Sequence, residues 1–166
     1  MNRLEGDFYF SGAVTGRSIA PSDGAVTNAK VSADADIDAT KLGHQYKIVR
    51  ELCDHATTAT ARRIIVDYVY GASGTIVAGG VLASVAPIGD ATITFDIKKN
   101  GSSILSATIS LTSATAANAL KEPAGFSSTT VAAGDVISFE ITAVSAGTGT
   151  LPKGVAGVLI LREKAQ

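Results

Sequence analysis

The chain has 166 residues, a formal net charge of −1, 46% hydrophobic and only 5% aromatic residues, with no tryptophan and one cysteine, Cys53. The length suits one compact domain, or one domain with an extended segment. A balanced charge without clustered Lys and Arg excludes a phosphate-neutralising surface, because the only basic doublets are Arg62-Arg63 and Lys98-Lys99. One cysteine cannot form an intrachain disulfide framework, which fits assembly in a reducing compartment. Residues 1–12 carry Glu5 and Asp7 and hold no long apolar run, so no secretory signal is expected. No stretch approaches the roughly 20 apolar residues of a membrane helix.

In chain order, residues 1–44 read as an extended N-terminal arm and 45–166 as the domain. The arm opens with Phe8-Tyr9-Phe10, three of the nine aromatics. Farther on, Val26, Val31, Ile37 and Leu42 stand five or six apart, a spacing that fits neither the helical nor the strand period. Such a segment buries too little surface to fold alone and is expected to be ordered against a partner. Phe8, Tyr9 and Phe10 are the candidate anchors, and Val26, Val31, Ile37 and Leu42 the lesser contacts. Ile37 and Leu42, nearest the domain, are expected to pack on the chain's own head or on a sister subunit.

From Tyr46 the pattern becomes β, with Val, Ile and Thr in short blocks between Gly and Pro. Strands are expected near 46–53, 63–70, 74–85, 91–98, 102–112, 126–131, 136–144 and 155–162. Only Thr115 to Lys121 has helical composition. Ile137, Phe139 and Ile141 alternate inward against Ser138, Glu140 and Thr142. About eight short strands at regular spacing predict an all-β fold, a β-sandwich or jelly-roll-like head. For the hairpin near Asn100-Gly101, a two-residue turn would set Phe95 opposite Ser106. A one-residue slip sets it opposite Leu105 instead. Burial then predicts a three-residue loop, Lys99-Asn100-Gly101, with Gly101 left-handed in a bulge.

No pattern of catalytic, cofactor-binding or metal-ligating residues stands out. Asp34, Asp36 and Asp38 open like a calcium loop, but Ala39 and Gln45 stand where the turn glycine and the bidentate Glu are needed. Cys53 and His55, with Asp54 between them and His44 upstream, are too few for a structural zinc site, and a buried thiol beside a strand-end His is the simpler reading. Gly71-Ala72-Ser73-Gly74 lacks one residue of a nucleophile elbow. Gly154 follows Lys153, the reverse of the phosphate-loop order. Asp67, Asp96, Asp135 and Glu140 read as solvent-face or turn residues, and Asp90 and Asp135 each follow Gly just before a strand.

Several stretches together resemble the capsid decoration proteins of tailed bacteriophages, also called cement or head-fibre proteins. They are Tyr70-Gly71-Ala72-Ser73-Gly74-Thr75-Ile76, the run from Gly89-Asp90 through Lys98-Lys99-Asn100-Gly101 to Leu105, Ala133-Gly134-Asp135 before a strand, and the upstream stretch ending Ile37-Asp38-Ala39-Thr40-Lys41-Leu42. The resemblance spans most of the chain from about Val26. It implies a non-enzymatic homotrimer on the capsid surface of a virion, with a β-sandwich head and an arm against the major capsid protein. It transfers no catalytic residue, cofactor, nucleic-acid or membrane partner. An alternative from the residues alone is a fibre-type or carbohydrate-binding jelly roll, for which Tyr46, Tyr68 and Tyr70 are the only domain tyrosines available to stack on sugars. An enzyme is a third reading and would need a polar pocket.

Overall fold

The computed structural model describes residues 44–70 and 73–163. The arm, with Phe8, Tyr9, Phe10, Val26, Val31, Ile37 and Leu42, and the Asp34–Asp38 stretch lie outside the described residues, as do Gly71 and Ala72.

Among the described residues, nine strands form two antiparallel sheets that pack face to face as a β-sandwich. They are β1 (Gln45–Glu51), β2 (Arg62–Tyr68), β3 (Gly74–Val85), β4 (Thr92–Lys99), β5 (Ser102–Ser103), β6 (Ile109–Leu111), β7 (Thr130–Val131), β8 (Val136–Ser145) and β9 (Lys153–Glu163). Sheet A runs β1-β9-β3-β7. Sheet B runs β2-β8-β4, with both β5 and β6 on the far side of β4. Thr115 to Lys121 is not helical. Its backbone instead runs beside β3, where Lys121 and Val81 exchange N–H···O bonds of 2.8 and 3.0 Å.

The core lies between the sheets. Ile93, Phe95 and Ile97 of β4 and Ile137, Phe139 and Ile141 of β8 are almost fully buried, as the alternation predicts. Phe95 and Phe139 meet in a tilted pair with centroids 5.4 Å apart. Sheet A answers with Ile76, Val81, Ala83, Val155, Leu159 and Leu161. Gly157 leaves the space that the Phe139 ring fills, since a side chain there would enter the ring.

The hairpin corrects the expected three-residue loop. Lys98 pairs with Ser103 and Lys99 with Ser102, leaving a two-residue Asn100-Gly101 turn. Both turn residues have positive φ, 51° and 86°, the left-handed pair that matches strand twist. The apolar match is recovered farther along. Phe95 pairs with Ile109 and Ile93 with Leu111. Between Ser103 and Ile109 the chain advances six residues while β4 recedes three, so three extra residues leave the ladder. An odd number flips the side-chain faces. The expected strand 102–112 is therefore split in two around an excursion that buries Ile104 and Leu105 and ties Ser106 N–H to the Gly125 carbonyl at 3.0 Å. The expected strand 126–131 shortens to β7.

Candidate interaction surface

The two sheets present unlike faces to the outside. On sheet B the outward residues of the central strands are polar. Asp96 stands opposite Glu140 and Lys98 opposite Ser138. Lys98 Nζ reaches Glu140 at 2.9 Å, Arg63 Nε donates to Ser138 Oγ at 3.2 Å and lies 3.9 Å from Glu140. Ser103 donates to Asp96 at 2.7 Å, so this carboxylate, expected at a solvent face, is buried with a partner. Ser138, expected outward, does face outward but is covered by its neighbours. The face satisfies its own charges, with exposed Ile65 at its β2 margin.

Sheet A differs. Its pairing sets three rows across β1, β9 and β3 on the outward side: Lys47–Ile160–Ala78, Val49–Val158–Gly80 and Glu51–Ala156–Leu82. Every outward residue of the two central strands in these rows is apolar. Leu120 extends the middle row, its methyl group lying where a side chain on Gly80 would point. Val49 and Leu120 are 43% and 45% exposed. Within these rows the charged residues are Lys47 and Glu51 of β1; nearby, Arg162 donates to Gln45 Oε1 at 2.8 Å.

At the end of the sandwich where β1 begins, two turns interlock. Asn100 Nδ2 donates to Asp135 Oδ1 at 2.6 Å, and the Val136 N–H donates to Asn100 Oδ1 at 2.8 Å. The Ala132 N–H, followed by Asn100 and by Lys99 Nζ at 3.9 Å, holds the Asp135 carboxyl below the usual range. Tyr46 lies near this end with its hydroxyl 3.5 Å from both Asp67 and Glu163. Burial and then the two carboxylates push its phenol up to about 12. Tyr68 and Tyr70 are 57% and 88% exposed nearby. At the opposite end Asp90 accepts the Gly149 and Thr148 N–H groups at 2.6 and 3.2 Å, which hold its carboxyl low. Asp90 and Asp135 are thus turn staples, as their Gly-Asp contexts predict.

The residues weighed for chemistry separate. Cys53 is buried, with its sulfur accepting the Val155 N–H at 3.2 Å. His55 Nδ1 meets Ser84 Oγ at 2.6 Å, and the same hydroxyl lies 3.2 Å from the Lys153 carbonyl. Among the described residues no group of three His, Cys, Asp or Glu could hold a metal. A groove of about 610 Å³ between β6 and residues 114–121 is walled by Thr108, Ser110, Thr112, Thr115, Leu120 and Lys121 with small alanines, and has no carboxylate or imidazole in its walls.

Sequence reasoning placed its partner contacts in the arm, which lies outside the described residues, and did not single out the apolar outward rows of sheet A. The signal was present: Val155 to Leu161 is apolar at both parities, the mark of a strand covered on two sides. No family model and no curated protein matches this chain.

Proposed function

We propose that this chain is a structural decoration (cement) protein of a tailed-bacteriophage head, bound to the outside of the shell and without enzymatic activity. One observation carries the reading. The two turn motifs of the resemblance, Lys99-Asn100-Gly101 and Ala133-Gly134-Asp135, form one interlocked corner through Asn100 and Asp135. They belong to a single structural device, which makes their joint presence more specific than two separate turns. In this reading the sandwich is a rigid body and residues 1–43 contact the major capsid protein, with Phe8, Tyr9 and Phe10 as anchors. Assembly takes place in the host cytoplasm, and the head carries the three copies the resemblance implies. A ligand that binds only the assembled shell stabilises it by mass action.

The test is co-sedimentation of the purified chain with shells built from the capsid protein of its own phage. Saturable binding that weakens when residues 1–25 are removed is expected. Full affinity without those residues would end the anchor assignment, and no binding by the intact chain would end the decoration reading. A second reading, a carbohydrate-binding or fibre module, is favoured by exposed Tyr68 and Tyr70. Specific binding on a glycan array, lost in Tyr70→Ala, would select it.

A further inference from the structure

We propose that Asn100 is a site of spontaneous deamidation, held unreacted by its clasp on Asp135 and Val136 and unable to re-form that clasp once it has reacted. Asn100-Gly101 is the one Asn-Gly pair in the chain. Glycine matters here because it has no side chain to shield its backbone nitrogen. In the reaction the Gly101 nitrogen attacks Cγ, the side-chain carbonyl carbon of Asn100. A new C–N bond forms, the Cγ–Nδ2 bond breaks, and the Gly101 proton leaves with Nδ2 as ammonia. Water then opens the resulting succinimide ring to aspartate or isoaspartate. Both residues are exposed, so water is at hand.

The folded corner works against that step. Attack needs the amide carbon turned onto the next backbone nitrogen, a near-attack geometry of about 3–3.5 Å. The Asn100 side chain is instead held at both of its polar atoms. Nδ2 donates to Asp135 Oδ1 at 2.6 Å, and Oδ1 accepts the Val136 N–H at 2.8 Å. The Asn100 backbone N–H donates to the Val136 carbonyl, also at 2.8 Å, so the residue is tied to Val136 twice. Asp135 is itself fixed by the Ala132 N–H at 2.9 Å, with Lys99 Nζ 3.9 Å away. Nδ2 also faces a carboxylate, an acceptor, so nothing there supplies the proton with which ammonia leaves. The clasp is one-way because the product has lost its donor. An aspartate at this position sets a second carboxylate against Asp135, and like charges that close oppose each other's ionisation. Isoaspartate adds a backbone carbon to a two-residue turn whose positive φ values, 51° and 86°, match the strand twist. The inference concerns the head alone and holds whatever the chain binds.

The experiment is a time course at neutral pH in which aspartate and isoaspartate formed at Asn100 are quantified by peptide mass spectrometry. The full chain is followed folded, unfolded in guanidinium, and folded as Asp135→Ala, with circular dichroism checking that the variant keeps its fold. The folded wild type is expected to react roughly tenfold or more slowly than the unfolded chain. Folded Asp135→Ala should react faster than the folded wild type, towards the unfolded rate. Equal rates in the folded and unfolded wild type would overturn the proposal, and that comparison needs no variant. A folded Asp135→Ala that reacts as slowly as the wild type would overturn it too, by assigning the protection to the turn backbone alone. The product is tested with Asn100→Asp, which is expected to melt below the wild type at neutral pH. The gap should narrow as pH falls, because a carboxyl whose folded value is raised by its neighbour stabilises the fold as it takes up a proton. A variant that melts with the wild type at neutral pH would overturn the one-way clasp.

Discussion

Sheets A and B share one core and differ outside it. Sheet B closes its outer face with Arg63, Lys98, Glu140, Asp96 and Ser103, each engaged with another residue of that face. Sheet A sets Val49, Val158, Leu82 and Ile160 in apolar rows, of which Val49 is exposed, Leu82 and Ile160 are half-buried and Val158 is buried. A face that pairs its own charges needs no partner, whereas an apolar face gains by burial at roughly 25 cal/mol per Å² removed from water. The difference accounts for the absence of a pocket chemistry among the described residues, since the polar groups are used up in pairing or in turns.

The comparison can be broken first at the interior both faces share. Phe139→Ala, which empties the space between Phe95 and Gly157, is expected to cost about 3–5 kcal/mol in chemical denaturation. A loss well under that range would mean the sheets are not packed through this ring. From the sheet A side, Gly157→Ala pushes a methyl group into the same ring and should cost about 1–3 kcal/mol. If it stabilised the head, the close approach of the sheets at that point would be wrong.

At the β1 end, Asn100→Ala removes two hydrogen bonds and leaves a non-glycine residue at positive φ. A loss of about 1–2 kcal/mol is expected. The same corner predicts a pH effect. Asp135 has a depressed folded-state value, so its contribution is present above the unfolded carboxylate range near 3.9 and is lost as pH falls through the folded value. The melting temperature of the wild type should therefore drop below about pH 4 more steeply than that of Asp135→Asn. Parallel curves would remove the staple. The smallest effect belongs to the outer face of sheet B. A double-mutant cycle on Lys98 and Glu140 should return no more than about 1 kcal/mol and shrink with added salt. A larger, salt-resistant coupling would make sheet B's face more than a solvated one.

Much of the sandwich was legible in advance because its central strands alternate cleanly, as in Ile137, Phe139 and Ile141. The failures have physical causes. The turn at Asn100 was misjudged because a local register argument assumed one continuous ladder. The chain instead kept the favoured two-residue turn and corrected the faces later, by sending residues 104–108 out of the sheet. Burial of Asp96 was invisible because it depends on Ser103 folding back across that same turn. The sheet A face was overlooked for a different reason. Val155 to Leu161 shows that both sides of β9 are apolar, but only the pairing with β1 and β3 reveals that these residues line up into one surface.

The proposed role is mechanical: bound copies of this chain would hold a shell together. It is tested most directly by the temperature at which purified shells rupture, measured alone, with the full chain, and with the chain lacking residues 1–43. A higher rupture temperature is expected with the full chain and little change with the truncated one. Shells that bind the full chain yet rupture at their unaided temperature would contradict it.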